Sequence, residues 1–163
     1  MDLSKLSTGD KVIGISAAVY LVAMFLPWYG FDYDSIVGGG SFTNSGWDYF
    51  LGGILPLLLI AAVVAKVAIT RFSPDTKLPE LPVPWGQATL GAAGAAAVIL
   101  ILRLLISSDK VGSISIGRNL DRKFGLILAV LAAIGVAAGA FMKYQANEDD
   151  AIAGGGSTPP TSF

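Results

Sequence analysis

Apolar residues along this chain fall in four long blocks separated by short polar stretches. A helix needs about 20 mostly apolar residues to cross about 30 Å of hydrocarbon, and each block approaches that length. The blocks predict membrane helices over 12–28, 47–70, 85–106 and 124–142. The first carries no charge between Val12 and Trp28. Ser7 and Asp10 ahead of it have the Ser-x-x-Asp spacing of a helix N-cap, so the helix can begin a turn earlier, and Pro27 stops or kinks its far end. The second is uncharged from Phe50 to Ala65, and Pro56 is expected to bend it. The third opens on small residues (Gly86, Ala88, Gly91, Ala92, Ala93, Gly94, Ala95) and closes on large aliphatics around Arg103. A soluble bundle would show a polar face every 3.6 residues; these blocks are apolar all round. The expected fold is therefore all-α membrane: a four-transmembrane-helix bundle over residues 1–144 and a disordered tail over 145–163.

The polar stretches carry weaker signals. Phe31-Asp32-Tyr33-Asp34 alternates as a strand would, Gly38-Gly39-Gly40 can turn the chain, and Ser41-Phe42-Thr43 can return it. Val111 to Gly117 alternates too, with Ile114 and Ile116 between serines. An isolated hairpin is marginal in water, so these two loops are expected to pair as a small β cap on one end of the bundle. Between spans two and three, Pro74, Pro79, Pro82 and Pro84 predict an extended, stiff connection.

Small residues mark where helices meet. Gly135 and Gly139 in span four form a GxxxG, and Gly91 and Ala95 repeat small residues in span three. In lipid such residues let backbones approach closely, so spans three and four are expected to pack on one another, with self-association as the alternative use. Lys66 and Arg103 lie near span ends, where long stems reach the interface. Arg103 has a second option, a loop carboxylate such as Asp48 or Asp109.

Charge gives an orientation. Lys5 and Lys11 precede span one, and the loop after it has no Lys or Arg. The positive-inside rule then places both termini in the cytoplasm, with Lys66, Arg71, Lys77 and Lys143 on the same side. Arg103, Lys110, Arg118, Arg122 and Lys123 fall opposite.

Composition removes much chemistry. Charged residues are 14% and hydrophobic residues 53%. With no cysteine there are no disulfides or thiolate sites, and with no histidine the commonest general base and metal ligand is missing. A net charge of −1 without a basic run gives no footprint for nucleic acid. Gly38-Gly39-Gly40 lacks the Lys-Ser/Thr of a phosphate loop. Asp32, Asp34, Asp48, Asp109 and Asp121 sit in wet loops beside cations, and read as a polar rim. No catalytic residue, cofactor or metal is expected. The expected role is a non-enzymatic accessory or scaffold subunit of the cell envelope, placed in the cell membrane, whose partners are the bilayer and a membrane protein or second copy. Trp47, Asp48 and Arg118 are its candidate contacts. A small oligomeric transporter or channel component is the alternative, and an intramembrane enzyme a third.

Four short stretches carry a family likeness: Leu6-Ser7-Thr8-Gly9-Asp10-Lys11, Phe25-Leu26-Pro27-Trp28-Tyr29, Asn44-Ser45-Gly46-Trp47-Asp48 and Lys123-Phe124-Gly125. Together they resemble a group of uncharacterised four-span membrane proteins from actinobacteria, over roughly residues 6–143. The resemblance implies topology and transfers no catalytic residue.

Overall fold

A computed structural model describes residues 6–33, 38–73, 82–106, 110–111, 114–115 and 121–146. Four helices long and apolar enough to cross a membrane form a bundle, and a small three-stranded sheet lies at one end.

Helix α1 (Thr8–Phe25) begins at the predicted cap. The Asp10 amide donates to Ser7 Oγ (3.3 Å) and the Ser7 amide donates to Asp10 Oδ2 (3.1 Å), so two orphan donors are satisfied reciprocally. Its other end falls short of the expected Trp28. Pro27 drives Leu26 out of the helical region (φ −82°, ψ 157°), and the chain passes directly into strand β1 (Pro27–Tyr33). Trp28 Nε1 then donates to the Ala23 carbonyl at 2.7 Å, which also accepts from the Leu26 amide at 3.2 Å.

Strand β1 pairs antiparallel with β2 (Gly40–Ser45), placing Phe31 opposite Phe42 and Asp32 opposite Ser41. Two short strands, β3 (Lys110–Val111) and β4 (Ile114–Ser115), pair with each other and, among the described residues, with no other strand. The sheet takes its third strand from β5 (Asp121–Arg122), in the order β2-β1-β5. The expected pairing between loops thus exists, but through Asp121–Arg122 rather than Val111–Gly117. The reason is anchoring: β5 runs straight into α4, and the Lys123 amide donates to the Trp28 carbonyl at 2.8 Å.

After β2 comes a 3₁₀ turn (Gly46–Asp48), a π-helical turn (Phe50–Ile54), then α2 (Leu55–Phe72). Pro56 lies in the first turn of α2. Its ring would crowd the carbonyl four residues back and it has no N–H to donate, so a widened turn ahead of it fits where an α-turn would not. Helices α3 (Trp85–Leu105) and α4 (Phe124–Gln145) complete the bundle. Helix α4 extends three residues beyond the expected Met142, into the segment expected to be tail. The rest of the tail, 147–163, and most of the proline-rich connection lie outside the described residues.

Helix α4 packs most extensively on α1, and also on α3. Gly9 and Gly139 set the α1–α4 distance. A Cβ on Gly139 would come within 2.9 Å of the Gly9 carbonyl and 2.8 Å of Ile13, and one on Gly135 would meet Ser16. The GxxxG therefore seats span one, not span three as expected. Gly91 and Ala95 face outward from α3, and a Cβ on Gly91 would meet nothing within 4 Å. Antiparallel α4 and α1 bring the two glycine-bearing faces together; α3 meets α4 instead through its buried Ala93, Ala96, Ala97 and Leu100 side. Ile13, Ile60, Val63, Val136 and Leu126 fill the interior, while Ile15, Leu58, Val98 and Leu131 are exposed on the outside, as a lipid-facing surface requires.

Candidate functional site

Two clusters of polar side chains lie at opposite ends of the bundle. At the end where α1 begins, Asp10 is fully buried. Lys143 Nζ lies 2.7 Å from its Oδ1, and Arg71 Nε donates to its Oδ2 at 2.6 Å. One carboxylate thus joins the first turn of α1 to the last turns of α2 and α4. Each charge also suits its helix: the acid sits at an N-terminus and both cations at C-termini, complementing the helix dipoles. The Lys143 side chain is fully buried and that of Arg71 is partly open to solvent. Pattern reading finds Asp10 as a cap but misses its second task. The available signal was an acid in the first turn of one span and a base in the last turn of two others.

Lys66, expected to snorkel, is buried at 6% exposure. It lies more than a turn inside the end of α2, on the same helix side as the buried Ile60, Val63 and Val67, so its stem runs among helices rather than out along lipid.

At the other end, Arg103 folds against the cap. Its guanidinium lies 4.2 Å from the centre of the Tyr49 ring and 5.2 Å from that of Tyr29. Gly52 of the π turn leaves room for it: a Cβ there would sit 3.1 Å from Arg103 Cδ. The Tyr29 hydroxyl donates to the Arg103 backbone carbonyl at 2.6 Å. The tyrosines stack edge-on at 5.4 Å, and Asn44 donates to the Tyr49 hydroxyl at 3.2 Å. Burial pushes the Tyr29 phenol above its ordinary pKa of 10.0, with Arg103 opposing. Arg103 therefore does fix cap to bundle, but by way of two aromatic rings. The expected partner Asp48 is engaged elsewhere, accepting from the Ser45 amide (2.8 Å) and hydroxyl (3.1 Å); Asp109 lies outside the described residues.

Nearby, the Tyr20 hydroxyl donates to the Gly53 carbonyl at 3.0 Å, which ties α1 to the π turn. A Cβ on Gly53 would strike the Gly46 carbonyl, so the chain closes on itself there.

Of the expected contact residues, Trp47 and Asp48 are exposed on the cap side, and Trp47 packs edge-on against Phe25 at 5.4 Å. Arg118 lies outside the described residues. Among the described residues no group of three acids could hold a metal ion. The fold and these two polar ends define a multi-pass membrane protein with a capped four-helix bundle. Compared with protein families, with curated proteins and with solved structures, the chain matches none.

Proposed function

We propose that this protein is a non-enzymatic accessory subunit of the cell membrane, related to the actinobacterial four-span group it resembles, and that its cap is the surface a membrane-protein partner reads. Both termini are then cytoplasmic and the cap extracytoplasmic. One observation carries the reading: the described residues of the connection between spans one and two form a platform held by Arg103, Tyr29 and Tyr49, with Trp47 left 41% exposed on it. A bare helical anchor would need only a short turn at this point. Exposed tryptophan beside polar groups is the kind of anchor that dominates protein interfaces.

The test is purification from native membranes in mild detergent, with Trp47→Ala and Asp48→Asn as variants. A stoichiometric partner that is retained by the native chain and lost with Trp47→Ala, at unchanged thermal stability, supports the reading. A native chain that purifies without a stoichiometric partner overturns it.

A transporter or channel component is the second reading, favoured by the burial of Lys66 within α2, since ionisable groups at membrane depth often mark solute paths. Solute flux in proteoliposomes that is lost with Lys66→Met would support it over the first.

A further inference from the structure

We propose that two copies of this chain pair through strand β2, joining their caps into one continuous antiparallel sheet. The inference stands beside the accessory-subunit reading and does not rest on it.

Strand β2 is at one side of the sheet, and all its strand pairing is with β1. Among the described residues no strand pairs with its other side. Natural sheets guard such edges with charges, proline or very short strands. Strand β1's opposite side is partly covered by β5, itself charged and two residues long. Strand β2 reads Gly40-Ser-Phe-Thr-Asn-Ser45: six residues, with no charge and no proline. Ser41, Phe42 and Thr43 are all exposed.

The two faces of the sheet say what would complete it. Tyr29 and Asn44 point onto the bundle, where both are buried. Phe31 and Phe42 follow on the same face, their rings 5.8 Å apart. The bundle covers Asn44 but not Phe42, which stays 39% exposed. An added strand with an aromatic residue opposite Phe42 would extend that row and cover it.

A second copy supplies this strand. With Phe42 opposite Phe42 in an antiparallel pair, Ser41 meets Thr43 on both sides of the axis and Gly40 meets Asn44. No like charges meet anywhere along the pairing. Two copies inserted the same way in one bilayer share a twofold axis along its normal, so this pairing requires β2 to run across that normal.

The chain contains no cysteine, so single cysteines report without background. In native membranes, Phe42→Cys should give an intermolecular disulfide under mild oxidation, since paired Cα atoms in such a ladder lie about 4.5–5.5 Å apart. Ser41→Cys and Thr43→Cys copies, differently tagged, should cross-link when mixed and much less when alone. Ala95→Cys on the outward face of α3 is the collision control. As a check that does not alter Phe42, Ser41→Lys with Thr43→Lys sets lysine against lysine twice. In lipid nanodiscs it should raise the concentration for half-dissociation about tenfold, with the thermal midpoint unchanged. Cross-linking at Phe42 no better than at Ala95, or a mass of one copy at all concentrations, overturns the proposal. So does cross-linking at Phe42 to a different polypeptide, which would give the edge to another protein.

Discussion

The two ends of this bundle are held by opposite means. Where α1 begins, a single buried carboxylate draws cations from two other helices, using side chains up to 133 positions away in the sequence (10 to 143). At the cap, neighbouring segments fold on one another: β1 on β2, the π turn on Gly46, and Arg103 over two tyrosines. The first arrangement is concentrated, since two cations share one carboxylate. The second spreads over backbone hydrogen bonds and ring contacts, so single losses there should be absorbed.

The largest effect is therefore expected at the ionic end. Asp10→Ala leaves two cations facing each other without their carboxylate, and should cost about 3–5 kcal/mol. Lys143→Met leaves Asp10 still bonded to Arg71 and Ser7 and should cost less. The order of the two, measured by thermal unfolding in detergent, checks the account; equal effects would break it.

Next comes the α1–α4 seam. Gly139→Leu pushes apart backbones that now nearly touch, and should cost about 1–3 kcal/mol or more. Gly91→Leu, on the lipid side of α3, should leave the unfolding midpoint where it is. Similar losses at both would mean that α3, not α1, is the partner of the GxxxG.

At the cap, Tyr29→Phe removes one hydroxyl hydrogen bond, an effect of about 0.5–1.5 kcal/mol. It also carries a pH signature. Because the folded state holds the Tyr29 phenol above its ordinary value of 10.0, the neutral phenol's contribution is fully present below that value. It is lost as pH rises through the raised one. Native protein should lose stability relative to Tyr29→Phe only above about pH 10. A difference that grows on acidification would contradict the assignment.

The smallest effect is expected from Asp48→Asn. The exposed amide can still accept from Ser45, and stability should change by about 0.5 kcal/mol or less, as is usual for exposed surface sites.

The four spans were legible because lipid leaves so few options: an uncharged run such as Phe124–Met142 has to be a helix that crosses. Ser7 and Asp10 announced the start of α1, and the alternation around Phe31 announced β1. What pattern reading misses is distance. Nothing local to Asp10 points to Lys143, and Gly135 and Gly139 mark a seam without naming the helix across it. Lys66 shows the same limit. Position along a span suggests snorkelling, but the side of the helix on which a lysine falls decides between lipid and interior. The π turn is likewise readable only in part: Pro56 forecasts a disturbance, while its form depends on Gly52 and Gly53 admitting Arg103 and the Gly46 carbonyl.

An accessory subunit read from outside the cell needs its cap to be extracytoplasmic, opposite both termini. Labelling with a membrane-impermeant thiol reagent tests this directly in the cysteine-free chain, with Thr43→Cys on the cap and Lys11→Cys near the start of α1. Thr43→Cys labelled in intact spheroplasts, with Lys11→Cys labelled only after lysis, is the predicted result. The reverse pattern would place the cap in the cytoplasm, and labelling of both from outside would contradict a bundle whose two ends lie on opposite sides of the bilayer.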